Sequence, residues 1–133
     1  MATSKVTYLG DLRTSSVHLQ SGAEIVSDAP LDNNGRGEAF SPTDTVANAL
    51  ASCMLTIMGI KARDMGVALE GTTAEVTKIM AAEPRRISGV KIVFSFKSDA
   101  DEKSRTILER AAMTCPVFYS LHPDIEKDIT FNW

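Results

Sequence analysis

The chain is sparing with the residues that mark specialised sites by composition. Its 133 residues hold only two cysteines, Cys53 and Cys115, and two histidines, His18 and His122. These make no Cys-x-x-Cys pair and no Cys/His set at zinc spacing, so neither a metal nor another cofactor is expected. Basic residues never cluster. The only adjacent pair is Arg85-Arg86, and 14 Lys and Arg stand against 17 Asp and Glu, for a net charge of −3. That balance argues against nucleic acid as a partner, because phosphate binding is driven by grouped cations. No long apolar run occurs either. The uncharged stretch from Thr45 to Ile60 falls short of the about 20 residues of a membrane span and carries Asn48, Ser52 and Thr56, so it reads as a buried helix and no membrane partner is expected. Met1 to Gly10 lacks the charged-then-apolar pattern of a secretory leader. A cytoplasmic protein is the expectation, and there a disulfide is transient and redox-active rather than structural.

What is present fits one globular domain, 1–133. The chain is 44% apolar and 23% charged, and a length of this order buries roughly two-thirds of the unfolded surface. β-Favouring residues suggest strands over Thr3–Leu9 and Arg13–Gln20, with a tight turn at Ser21-Gly22 into a third strand, Ala23–Ser27. A polar loop rich in Asp, Asn, Gly and Pro follows, from Asp28 to Glu38. Ser41 as N-cap, Pro42 at the first position and Asp44 three residues past the cap then mark a helix start. This helix should run to about Asp64, before Gly66, and it is apolar nearly all round, as a helix covered on most sides must be. Two strands, Val67–Met80 and Arg86–Lys97, should turn near Glu83-Pro84. Val90, Ile92, Phe94 and Phe96 alternate on one face of the second. A helix capped by Ser98 with Asp101, a break at Pro116, a short Val117–Leu121 segment and a last strand, Ile125–Phe131, complete the order β-β-β-α-β-β-α-β. Strands grouped around separate helices define an α+β class, here antiparallel sheets about a long buried central helix. One thin layer of strands would not cover so apolar a helix, which points to a homodimer.

Cys53 falls in the middle of the long helix and Cys115 just before the break at Pro116. They are either two buried structural thiols or a pair able to form a disulfide. The second reading meets a physical constraint. Only a thiolate is a competent nucleophile, and a free thiol near pKa ~8.5 is mostly protonated at neutral pH. The helix dipole fades within the first turn, and Cys53 lies several turns past Ser41. A side-chain cation must therefore activate it. Lys61 and Arg63 lie too far along the helix, leaving Arg13 and Arg36 as candidates. A guanidinium can hold both a thiolate and a peroxide oxygen through its planar donors. His18 and His122 read as ordinary strand and turn residues.

Gly37-Glu38-Ala39-Phe40-Ser41-Pro42-Thr43-Asp44, continuing through Ala49-Leu50-Ala51-Ser52-Cys53-Met54, resembles the OsmC/Ohr family, as does Ala112-Met113-Thr114-Cys115-Pro116-Val117. The proline-containing helix start, the first cysteine and the Cys-Pro pair occur at the family's spacing, and the resemblance spans nearly the whole chain. It implies an intertwined homodimer with thiol sites at the subunit interface. It also implies a peroxidase that favours organic hydroperoxides and is reset by an external dithiol. Carried over, Cys53 is the residue that attacks peroxide, Cys115 the one that resolves the sulfenic acid, and Arg13 the activating arginine. One departure stands out: where the best-studied branch has a glutamate directly after the helix-start proline, this chain has Thr43. Asp44 is one residue on, a rotation of roughly 100° about the helix, and it suits the cap. Glu38 is another carboxylate able to meet Arg13 or Arg36. The departure keeps two other readings open, a binder of small apolar ligands and a redox sensor without efficient turnover.

Overall fold

A computed structural model describes residues 1–133, which form two compact units, Met1–Thr45 and Val46–Trp133. The first unit is a three-stranded antiparallel meander of β1 (Ser4–Gly10), β2 (Arg13–His18) and β3 (Glu24–Asp28). The β2–β3 ladder runs from Val17 opposite Glu24 to Arg13 opposite Asp28. This register follows from a wider turn than Ser21-Gly22 alone. His18 N–H donates to Ala23 O at 2.8 Å and Gly22 N–H to His18 O at 2.8 Å, so the loop takes in residues 19–23. Val6, Tyr8 and Ile25 share one face of this sheet, and each is more than 60% exposed.

The chain then passes through a 3-10 turn, Leu31–Asn33, to α1 (Pro42–Met65). Gly35 is required in that passage, because a Cβ there would lie 1.8 Å from the carbonyl oxygen of Ala29. The helix start is a reciprocal capping box: Asp44 N–H donates to Ser41 Oγ and Ser41 N–H to Asp44 Oδ2, both at 3.0 Å.

In the second unit, α1 buries Ala47, Leu50, Ala51, Met54, Met58 and Ala62, while Val46 and Ile60 stay exposed. By length and composition alone α1 could cross a membrane, but it serves here as the central core helix. Its end is a Schellman motif. Gly66 has φ +70°, Gly66 N–H reaches Arg63 O, and Val67 N–H reaches Ala62 O at 2.8 Å. A turn through Leu69–Thr72 follows, so β4 (Thr73–Ala81) starts later than the apolar pattern from Val67 predicts. Its antiparallel partner β5 (Arg86–Ser95) is the central strand of the second sheet. The second helix, α2 (Glu102–Ala112), is capped by Asp101, which accepts from Ser104 N–H at 2.8 Å, rather than by Ser98, which accepts from Ala100 N–H in a turn of its own. The short α3 (Pro116–Ser120) leads to β6 (Glu126–Asn132).

The order and α+β class match the sequence expectation, but the second sheet is not wholly antiparallel: β6 lies parallel to β5. The connection through α2 and α3 is long enough to return the chain to the same end of the sheet, which a parallel pair needs. Val90, Ile92, Phe94 and Phe96 do alternate inward, against Leu50, Met54 and Met58 of α1 and Leu108 of α2. Phe94 stacks on Phe131 of β6 with ring centroids 5.3 Å apart, and Trp133 stacks on Phe96 at 3.8 Å. Phe94 is completely buried. Phe94→Ala is therefore expected to lower stability by about 3–5 kcal/mol, read as a reduced midpoint in urea unfolding. A loss under about 1 kcal/mol would contradict the packing described.

Candidate active site

The chemistry-bearing side chains form one cluster in each unit. In the second unit the two thiols meet. Cys53 projects from the middle of α1, partly buried and packed against the core. Cys115 is fully buried at the junction of α2 and α3. Pro116 occupies the first turn of α3, leaving Cys115 extended at the N-cap (φ −70°, ψ 145°), where its sulfur accepts from Phe118 N–H at 3.3 Å. The chain break at the proline thus aims Cys115 back at α1, where Cys53 is its neighbour in the core. Burial, then the neighbouring Cys53, push the Cys115 thiol above its ordinary value, and the Phe118 N–H works in the opposite direction. Cys115 is therefore protonated at neutral pH.

In the first unit, Arg13 at the start of β2 faces Asp28 at the end of β3. Arg13 Nε and Nη2 each donate to one oxygen of Asp28 at 2.7 Å, the side-on bidentate geometry that a guanidinium and a carboxylate favour. Nη2 also donates to Glu38 Oε2 at 3.3 Å. Asp28 is 1% exposed and Glu38 63%. The paired guanidinium holds the Asp28 carboxyl below the ordinary carboxylate value, helped by the Glu38 backbone N–H, and Asp28 in turn raises Arg13.

Of the residues singled out by sequence, Cys53 and Cys115 are brought together, and so are Arg13 and Glu38. Arg36 pairs instead with Asp11 at 2.8 Å on an exposed turn, and Asp44 serves the helix cap. Thr43 Oγ1 lies 3.2 Å from Ser41 Oγ. His18 bonds Ser21 within the hairpin, and His122 accepts from Asp124 N–H in a turn. No group of three or more His, Cys, Asp or Glu side chains is arranged to hold a metal ion. Asp28 has no signature in the sequence beyond opening the polar loop. Its role emerges only from the register that sets it opposite Arg13.

Residues 35–130 match the family model described as OsmC-like protein. The chain belongs to the OsmC-like family. It is 61% identical to a Psychrobacter arcticus 273-4 protein named for an osmotic-stress-induced and detoxification response, whose crystal structure superposes with a TM-score of 0.96 over 99% of this chain and 96% of that one. An organic hydroperoxide resistance protein OsmC from Legionella pneumophila shares the fold at 14% identity (TM-score 0.76, 100% of this chain and 98% of that one). An organic hydroperoxide resistance protein from Vibrio cholerae with captopril bound does so at 18% (TM-score 0.75, 99% and 92%). No curated protein matches.

The Arg13–Asp28 pair has a defined pH signature. A carboxyl whose folded-state pKa is lowered adds stability above its unfolded value, near 3.8, and loses it as pH falls through the folded value. In Arg13→Ala the same buried carboxyl has lost its cation, and burial then opposes its charged form. The stability difference between wild type and Arg13→Ala should thus be largest near pH 7 and shrink as pH drops below 3.8, followed by urea unfolding at a series of pH values. A pH-independent difference would contradict the pairing.

Proposed function

We propose that the chain is a thiol peroxidase that reduces organic hydroperoxides, with Cys53 as the attacking residue, Cys115 as the resolving one and Arg13 as the activating cation. The observation that carries this reading is the neighbouring pair of thiols, one partly exposed and one sealed in the core. Family membership and the detoxification response for which the Psychrobacter relative is named support it.

The chemistry runs in three steps. The Cys53 thiolate attacks the distal peroxide oxygen. The O–O bond breaks, the alkoxide takes a proton and leaves as an alcohol, and Cys53 becomes a sulfenic acid. The Cys115 sulfur then attacks the Cys53 sulfur. Its proton and the hydroxyl leave as water, and a disulfide forms. An external dithiol finally reduces that disulfide and is itself oxidised. No metal or other cofactor enters. Burial of the alkyl part against the apolar surroundings of Cys53 favours alkyl peroxides over hydrogen peroxide.

The two units act as one functional domain, within a homodimer. A second copy is the partner that would cover the exposed Val6, Tyr8 and Ile25 of the first sheet and the exposed Val46 and Ile60 of α1. A reducing cytoplasm keeps the thiols ready for the next cycle.

Stoichiometric cumene hydroperoxide, followed by intact-mass analysis, tests the reading. The wild type should lose two hydrogens and Cys115→Ser should gain one oxygen, trapped by dimedone. Cys53→Ser should gain nothing and should lose roughly a thousandfold or more of the turnover seen with a dithiol. An unchanged wild-type mass would instead indicate a binder of small apolar ligands, and oxidation without turnover a redox sensor. Equal rates with hydrogen peroxide and cumene hydroperoxide would overturn the assigned substrate class.

A further inference from the structure

We propose that the cleft between the start of β5 and the chain entering β6 is a binding site for a small apolar amino acid: Arg86 takes its carboxylate, Asp124 its ammonium, and Ile87 and Ile125 its side chain.

The cleft has a volume of about 450 Å³ and is lined by Arg86, Ile87, Ser88, His122, Asp124 and Ile125. That volume lies in the range of small-molecule sites, roughly 300–1,000 Å³. All six residues belong to the second unit, and none enters the peroxide chemistry proposed above. Strand register brings them together. β5 and β6 run parallel with Gly89 opposite Glu126, so Arg86–Ser88 lie level with 123–125, the end of the link from α3.

The protein uses the polar groups around the cleft only in part. Arg86 Nη1 donates to Ala82 O at 3.0 Å and to Pro84 O at 2.8 Å, which anchors the guanidinium to the β4–β5 turn. Its Nε–H and Nη2 hydrogens, the edge that grips a carboxylate at two points, meet no acceptor in the chain. His122 Nδ1 accepts from Asp124 N–H at 3.0 Å, which puts the proton of the neutral ring on Nε2. That second N–H is also unmatched within the chain.

Asp124 decides the charge of the ligand. Its carboxylate is 90% exposed, lies 3.8 Å from His122 Nδ1 and pairs with no Lys or Arg. A bare anion would gain at Arg86 and lose at Asp124, whereas a molecule that also carries an ammonium gains at both. Ile87 and Ile125 are partly buried and packed against the core, so they give a short apolar side chain a surface to cover. An apolar amino acid answers all three features of the lining.

The test titrates the full-length protein with leucine, with isocaproate, which lacks the ammonium, and with isoamylamine, which lacks the carboxylate. Binding is read by calorimetry and by the methyl chemical shifts of Ile87 and Ile125. Leucine should bind saturably at millimolar concentration and move both methyl signals, and each analogue should bind more weakly. Arg86→Gln should weaken leucine by about ten- to a hundredfold, the loss of hydrogen bonds to a charged group. Because Arg86 also anchors a turn, Asp124→Asn supplies a second arm that keeps the backbone N–H to His122. It should weaken leucine by roughly two- to fivefold, as an exposed ion pair permits, and leave isocaproate unweakened. The proposal is overturned by the absence of saturable leucine binding, by leucine binding that moves neither methyl, or by isocaproate binding as tightly as leucine. An Asp124→Asn variant that weakens both ligands alike overturns it too.

Discussion

A sulfur in the middle of a 24-residue helix has no peptide dipole to draw on, and that constraint shapes the rest of the site. The positive end of a helix acts over its first turn only. Cys53 is several turns further in, packed against the core. Whatever ionises it must come from side chains delivered by other parts of the chain. In the proposed mechanism a guanidinium from the early strands is that group, and the second thiol, Cys115, is brought to α1 by the proline that separates α2 from α3. Both depend on distant segments, so the chemistry is a property of the folded chain rather than of a local motif.

The charge around Arg13 says what kind of help a guanidinium there can give. Two carboxylates, Asp28 and Glu38, outweigh its single positive charge. The cluster therefore offers little long-range field to an anion. What remains is directional, namely N–H groups in a plane held by its acceptors. The loop that carries Glu38 is itself secured to the β1–β2 turn by the Arg36–Asp11 pair and by the close passage of Gly35 against Ala29. This unit is organised to fix geometry. At the helix start, the polar side chains are used to satisfy the first turn of α1, so the acid that meets Arg13 is supplied by β3.

Much of the architecture is legible in the order of residues alone. Ser41, Pro42 and Asp44 agree on one helix start because capping is a local matter of orphan N–H groups, and the reciprocal bonds form as the residues demand. The inward alternation of Val90, Ile92, Phe94 and Phe96 is equally local. What sequence does not reveal is register. A tight turn at Ser21-Gly22 would set Asp28 opposite Ser15, whereas the wider loop through 19–23 sets it opposite Arg13. A small change in one turn decides which acid meets the arginine, and no spacing rule within the polar loop would favour Asp28 over Glu38. The parallel placement of β6 is hidden for a related reason, since strand direction is set by the length and path of α2 and α3 rather than by β6 itself.

The asymmetry of the two thiols also orders the proposed cycle. Cys53 is the sulfur that solvent and substrate can reach, and Cys115 is sealed and held protonated by burial. Peroxide therefore meets Cys53 first. In the condensation that follows, the proton on Cys115 is used in forming water, so a thiol that resists ionising in isolation can still resolve its neighbour. The reverse step is affected too. An incoming dithiol can attack only the exposed sulfur, which makes Cys115 the leaving group, and a thiol of raised pKa leaves slowly. In the proposed cycle burial of Cys115 therefore acts on both halves, through the smaller thiolate fraction available to attack the sulfenic acid and through the poorer leaving group it makes when the disulfide is reduced.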